Sequence, residues 1–244
     1  MSKHVFLVGI DEYDKEIFGN IDLKGCINDI TKAENFLNGD GKGAFFTRLN
    51  NSEARKQTVL FCLNEYAKTL QPGDELHFYF SGHGTNFERN GKYHTARVMH
   101  DEILPDYELT PILAKFKAGV TVVFYSDSCY STGNSRTAAK PPAANAVRRS
   151  IEAPKALTDV TIPEYTDARK YAATIYYFSA CESNEVAWEI GGIGNFTQTL
   201  AILLRGYKQP TAITTVFKTL KKSIAHQHPT LQTKNKGKNP TPKI

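Results

Sequence analysis

Residues 120–125, VTVVFY, form an unbroken run of β-branched and aromatic side chains of strand length, preceded by Gly119 and followed by a cluster of Ser, Asp and Gly. A strand that is apolar at successive positions is covered on both faces, the situation of a buried strand in a parallel sheet layered with helices. The run continues as SDSCYSTG and so carries Cys129 to a sheet edge. In open α/β folds, ligand sites lie just beyond the carboxyl ends of strands. A single cysteine is more often a small buried hydrophobe than a nucleophile. A second strand with a matching end changes that balance, because residues 75–80, ELHFYF, run into Ser81-Gly82-His83-Gly84. If the two strands are neighbours, His83 and Cys129 emerge on one edge.

The rest of the chain alternates strand and helix patterns. Residues 4–10 read as a buried first strand and 25–37 as a helix with Ile27, Ile30, Ala33, Phe36 and Leu37 on one face, ended by Asn38 and Gly39. A strand at 44–49 precedes a long helix to about Leu70, with Ser52 as its candidate cap. Residues 71–74 make a turn, 87–98 a surface hairpin, 109–116 a short helix and 174–180 a further strand. Helices at 195–204 and 211–224 follow, the latter with Ile213, Val216, Phe217, Leu220 and Ile224 on one face. This order predicts an α/β fold, a three-layer α/β/α sandwich around a mostly parallel sheet of about six strands joined by right-handed crossovers. Residues 1–232 are read as one domain, with 1–130 and 171–232 as its two halves. Between them 131–170 lacks apolar periodicity and is rich in Ala, Ser, Pro, Asn and basic residues, which predicts a flexible basic loop. A disordered basic tail is expected at 233–244.

The formal charge of +5 does not indicate nucleic-acid binding. Residues 234–244 contribute +4 and residues 136–155 another +4, five basic residues against Glu152, so the remainder carries −3. No basic patch interleaved with aromatics is evident, and a nucleic-acid partner is not expected. No apolar run approaches the roughly 18 residues of a membrane span, so the reading is a cytoplasmic protein without a membrane partner. Cys26, Cys62, Cys129 and Cys181 are widely spaced with no CxxC pair, which signals neither a disulfide framework nor a zinc site. Cys26, Cys62 and Cys181 read as structural thiols. A flavodoxin-like nucleotide-binding domain would share the layers, but neither GxGxxG nor a P-loop is present.

The two strand ends carry the parts of an acyl-transfer site. A thiolate is the reactive form of cysteine, and an imidazole nearby assists its formation. Glycines flanking His83 allow close backbone approach, and an amide there can donate to an oxyanion. The segments FYFSGHGT and DSCYSTG, with VFLVGIDEY, LKGCINDI, SACESNEVAWE, GNFTQTL and HPTLQ in this order, resemble the caspase-like cysteine peptidases. Within them the chain is most similar to the metacaspases of peptidase family C14 and their prokaryotic relatives, the orthocaspases, over nearly all its length to about Gln232. The resemblance implies the caspase-hemoglobinase fold, Cys129 as nucleophile, His83 as its partner and the amides of Gly84 and Cys129 as the oxyanion hole. It also implies that Asp29 and Asp127 form an S1 pocket, which two carboxylates would select for Arg or Lys.

The resemblance further implies protein or peptide substrates with Arg or Lys at P1, a monomer, and self-processing in the 131–170 loop, for which Arg148 and Arg149 are the candidates. No metal or other cofactor is expected. Asp101, Asp106 and Glu108 retain part of the acidic cluster of calcium-dependent members, but the seventh residue after Cys129 is Arg136 where they have an aspartate. A cation in that shell disfavours calcium, so no tight calcium requirement is expected. Trp188, with Glu185 and Glu189 around it, reads equally as a cleft wall near S2 or S3 and as plain packing. The competing reading is a catalytically silent caspase-like module that binds a peptide or a partner.

Overall fold

The structure is a computed structural model that describes residues 1–38, 43–130, 141–158, 171–182, 185–235 and 241–244. Its elements in chain order begin with β1 (Lys3–Gly9), α1 (Lys15–Phe18), α2 (Cys26–Leu37), β2 (Phe45–Asn50), α3 (Lys56–Thr69) and β3 (Glu75–Ser81). Next come β4 (Gly84–Arg89), β5 (Lys92–Val98), β6 (Ile103–Pro105), α4 (Asp106–Leu113) and β7 (Thr121–Asp127). The second half holds β8 (Val147–Arg148), α5 (Lys155–Thr158), β9 (Thr174–Ser179), β10 (Trp188–Glu189), α6 (Asn195–Gly206), α7 (Ile213–Ser223) and β11 (Thr230–Lys234).

Six strands form the central sheet in the order β11-β9-β7-β3-β1-β2, parallel throughout except for β11, which runs antiparallel to β9. Successive side chains of a strand point to opposite faces, so each central strand feeds two cores. Phe6, Val8, Phe78, Phe80, Val122 and Phe124 face the layer of α3 and α4. Val5, Leu7, Tyr79, Val123, Tyr125 and Phe178 face α2, α6 and α7. This is the expected three-layer sandwich. The ends of β1, β3 and β7 are in register, with Gly9 opposite Ser81 and Ser81 opposite Asp127, so the loops that follow them share one edge. Among the described residues no helix is long and apolar enough to cross a membrane.

Several local expectations shift. Ser52 does not cap the long helix. Asn50 instead forms a capping box with Glu53 over a single 3-10 turn, and α3 starts only after Arg55. The hairpin β4-β5 turns through Asn90 and Gly91, both at positive φ. It is less superficial than expected, because β6 extends it to three strands and Ala96, Arg97 and Val98 are buried. Of the segment 131–170, residues 131–140 and 159–170 lie outside the described residues. The part between them carries β8, α5 and a fully buried Arg149. Its order comes from one ion cluster and strand pairing, neither of which leaves apolar periodicity. The C-terminal stretch is tied down likewise. Thr233 and Lys234 belong to β11, Thr211 and Ile244 exchange backbone hydrogen bonds of 2.9 and 3.0 Å, and residues 236–240 lie outside the described residues.

Phe178 on β9 is buried among the rings of Tyr125, Phe196 and Phe217, tying the sheet to α6 and α7. Truncating a buried Phe costs about 3–5 kcal/mol through lost transfer energy and the cavity left behind. Phe178→Ala is therefore expected to lower unfolding stability by about that amount in urea titration. A loss below about 1 kcal/mol would show that the α6–α7 layer contributes little to the fold.

Candidate active site

The residues following β1, β3 and β7 build the site. The His83 backbone N–H donates to the Tyr13 hydroxyl at 2.8 Å, which fixes the loop between β3 and β4. Its imidazole Nε2 lies 2.7 Å from the Ile21 carbonyl. A carbonyl only accepts, so that bond assigns the ring proton to Nε2 and leaves Nδ1 with its lone pair. Nδ1 makes no hydrogen bond of good geometry among the described residues, although the Arg149 backbone lies close enough to the ring to act on its charge. Burial, with the Arg149 charge adding to it, holds the imidazole down at about 4 against the opposing backbone bonds to Ile21 and Arg149 and the Asp22 charge. The ring is thus neutral at neutral pH, a buried acceptor held in one tautomer.

Cys129 and Gly84 meet at a single atom. The Gly84 amide donates to the Arg149 carbonyl oxygen at 3.0 Å and the Cys129 amide donates to the same oxygen at 3.1 Å. A Cβ on Gly84 would overlap the Cys129 carbonyl, so this approach requires glycine. The chain on either side of Arg149 is held as a strand. Before it, β8 pairs antiparallel with β10, Arg148 opposite Trp188, and the Arg149 amide donates to the Ala187 carbonyl at 3.1 Å. After it, Ile151 donates its amide to the Gly84 carbonyl at 3.1 Å, and Thr85 Oγ1 donates to the Ile151 carbonyl at 2.8 Å.

The Arg149 side chain fills a closed acidic pocket. Nη2 lies 2.6 Å from Asp29 Oδ2 and 3.3 Å from Glu189 Oε2, and Nη1 lies 3.2 Å from Asp127 Oδ1 and 2.8 Å from Ser81 Oγ. Each acid is also held from behind. Asp29 accepts from Ser81 Oγ and the Gly194 amide, Asp127 from the Thr197 amide and hydroxyl, and Glu189 from the Lys24 amide. Gly194 and Gly25 form thin walls, since a Cβ on the first would overlap the Asp127 carboxylate and on the second would lie 2.9 Å from Glu189 Cδ. Three carboxylates around one guanidinium leave negative charge uncompensated, and burial pushes Asp29 up to about 7 against the pull of Arg149.

Of the residues singled out from the sequence, Asp29, Asp127 and Arg149 meet through their side chains, and Gly84 and Cys129 meet the Arg149 carbonyl through their amides, while the Cys129 sulfur lies 2.8 Å from the Glu185 carbonyl and the His83 ring bonds the Ile21 carbonyl. Arg148 does not join them: its Nε donates to Ser150 Oγ outside the pocket. Sequence reasoning missed Ser81, Tyr13, the Ile21 carbonyl and the acid role of Glu189. Glu189 was placed on the cleft wall beside Trp188, and its membership of the pocket depends on the pairing of β8 with β10, which leaves no mark in its own neighbourhood. Asp11, Cys26 and Glu189 also lie close enough to share a metal ion. Asp11 is committed, however, to the Cys26 and Ile27 amides at the start of α2, and Glu189 to Arg149.

Comparison with known proteins places the chain. Metacaspase-1 of Plasmodium falciparum is 25% identical over 245 residues, covering 87% of this chain and 36% of that protein. Metacaspase-1 of Mycosarcoma maydis is 28% identical over 147 residues, 53% of this chain and 35% of that one. Metacaspase-8 of Arabidopsis thaliana is 24% identical over 148 residues, 54% and 38% respectively. The chain thus spans a little over a third of the length of these relatives. A crystal structure of a Geobacter sulfurreducens protein superposes with a TM-score of 0.81 at 20% identity, over 97% of this chain and 95% of that one, a likeness of fold. The sequence model of the caspase domain, peptidase family C14, matches residues 2–242. With that match across almost the whole chain, the protein belongs to the caspase-domain family of cysteine peptidases.

Proposed function

We propose that this chain is a cysteine endopeptidase that cuts after arginine or lysine in protein and peptide substrates, and that it processes itself after Arg149. One observation carries the reading. A basic residue of the chain itself lies across the site with its carbonyl oxygen between two amide donors, its side chain in an acid pocket and its flanks strand-paired. In this reading the Cys129 sulfur attacks the P1 carbonyl carbon, His83 Nδ1 takes up the thiol proton, and the Gly84 and Cys129 amides hold the developing oxyanion. The proton passes from His83 to the leaving amine, and water then releases the acyl group by the same route. Asp29, Asp127 and Glu189 select the cationic side chain. All of these groups come from one chain, so the proposed site takes no residue from a second copy.

Of the two self-processing candidates, Arg149 is favoured by its place in the pocket. Cleavage of the Arg149–Ser150 bond would divide the chain into residues 1–149 and 150–244. No metal is needed in this mechanism. Asp106 pairs with Arg97 at 2.6 Å, Glu108 with Lys56 at 2.8 Å, and Asp101 accepts from the Lys56 amide at 2.9 Å, so the acids left for calcium are engaged by the protein. Arg136, the other part of that argument, lies outside the described residues. The alternative, a silent module, is favoured by the same occupied site if segment 147–151 never leaves it.

Two measurements separate these readings. Purified protein incubated at neutral pH is expected to yield fragments 1–149 and 150–244 by mass spectrometry. Cys129→Ala is expected to stay intact and Arg149→Lys to be processed more slowly; cleavage at another bond, or an unchanging mass in the wild type, counts against processing at Arg149. With an Arg-terminated fluorogenic peptide, Cys129→Ala is expected to lose at least about 1,000-fold in kcat/KM, and chelation of divalent ions to leave wild-type turnover within about twofold, below the threshold of a meaningful energetic change. Absence of turnover with Arg, Lys and Asp peptides alike would leave the silent module standing.

A further inference from the structure

Cys181 is a thiol that the proposed mechanism does not use, yet it lies beside the proposed nucleophile. β7 and β9 are neighbours in the sheet with Ser126 opposite Ser179, and the Ala180 amide donates to the Ser126 carbonyl at 2.9 Å. Cys129 and Cys181 follow those residues on adjacent chains, which run about 4.8 Å apart in a sheet. Their sulfurs converge on one oxygen. Cys129 Sγ lies 2.8 Å and Cys181 Sγ 3.7 Å from the Glu185 carbonyl, and Cys181 Sγ is 3.9 Å from the carbonyl of Ser128, the residue before the nucleophile. The two thiols are within hydrogen-bonding reach of each other. Glu185 is itself anchored, its carboxylate taking the His228 amide at 2.8 Å and the His228 ring Nδ1. Both cysteines are unbridged and buried, Cys181 at 4% exposure.

We propose that Cys181 is a redox modification site, the resolving partner of Cys129, and that a peroxide converts the pair to an intrachain disulfide. The Cys129 thiolate attacks a peroxide oxygen, the O–O bond breaks, and one molecule of water or alcohol leaves as Cys129 becomes a sulfenic acid. The Cys181 sulfur then attacks the Cys129 sulfur, its proton leaves with the sulfenic hydroxyl as a second water, and the S–S bond forms. Together the two thiols lose two electrons and two protons, which the peroxide accepts. The hydrogen bond to Cys129, together with burial, holds the Cys181 thiol well above its ordinary range. That keeps Cys181 protonated and makes it the second sulfur to react rather than the first. Neither remaining cysteine is placed for this role, because Cys26 opens α2 beside Asp11 and Cys62 lies on α3 on the far face of the sheet.

The cross-link requires only the geometry of the pair; its effect on activity rests on the peptidase reading, since a bridged Cys129 cannot attack a substrate. Reduced full-length protein would be exposed to hydrogen peroxide, blocked with N-ethylmaleimide and mapped by mass spectrometry without reductant. The expected result is a peptide joining Cys129 to Cys181 and an intact mass lower by two hydrogens, both reversed by dithiothreitol, with peptidase activity lost and regained in parallel. In Cys181→Ser and Cys181→Ala, checked for folding by circular dichroism, the same exposure is expected to carry Cys129 to the sulfinic acid and the loss to persist after reduction. A wild-type digest in which Cys129 is oxidised while Cys181 still takes the alkylating agent, or in which either is joined to Cys26 or Cys62, overturns the proposal. If the wild type hydrolyses no peptide, the peptidase reading fails and the cross-link still decides this one.

Discussion

The Arg149 guanidinium, fully removed from water, is the interaction on which the arrangement of the candidate site depends. It joins Asp29 of α2, Asp127 at the end of β7 and Glu189 of β10, with Ser81 of β3 between them. Taking such ions out of water costs several kcal/mol each, and the cost is met only if the charges are paired and their remaining lone pairs are satisfied. Backbone amides of Lys24, Gly194 and Thr197 supply much of that satisfaction. The cluster therefore binds four stretches distant in sequence, and it places Arg149 in the interior although the stretch that carries it has no apolar pattern. Removing one member of such a cluster typically costs about 3–5 kcal/mol, because its partners stay buried and unpaired.

The same exclusion of water shapes the chemistry beside the cluster. An imidazole surrounded by protein and close to a guanidinium stays neutral, which is the form a proton acceptor must have. Two amides converging on one carbonyl oxygen are worth more in a dry site than in solvent, and they need no reorganisation as charge builds on that oxygen. Close approach is possible because the walls lack side chains at Gly84, Gly25 and Gly194. The acid pocket, the buried imidazole and the paired amides thus share one cause, the register of three parallel strands that end at the same level.

How much of this could be read from the sequence depends on the range of each interaction. The runs ELHFYF and VTVVFY announce strands because burial on both faces leaves a local, continuous apolar signature, and His83 and Cys129 follow from their ends. Asp29 and Asp127 were legible because each lies within a short recognisable segment. Glu189 was not, since its neighbours suggest only a cleft wall and its carboxylate meets Arg149 forty positions away in the chain. Arg149 stood out in the sequence as one of two candidates for processing and was illegible as a buried residue, because an ion pair leaves no period in the chain that carries it. Ser52 shows the reverse error: a good capping residue loses to Asn50, whose partner Glu53 completes the reciprocal bonds.

Occupation of the site by segment 147–151 raises the question of how such an enzyme would become free to act on other chains, and the proposed cleavage contains an answer. Before the cut, Arg149 is held from both sides, by β10 before it and by Gly84 and Thr85 after it. Once the Arg149–Ser150 bond is hydrolysed, the second set of bonds no longer restrains Arg149. Its carbonyl becomes a carboxylate, placing a further negative charge near three buried acids. What then holds it is the guanidinium, the Gly84 and Cys129 amides on its carboxylate and a two-residue strand, against the entropy of a freed chain end, which grows with every residue released. Hydrolysis thus weakens the hold on Arg149, while Asp29, Asp127 and Glu189 keep backbone donors from Gly194, Thr197 and Lys24, outside the departing segment, and are left without their cation until another takes its place. The pocket that selects the cleaved residue would then be prepared for the next one.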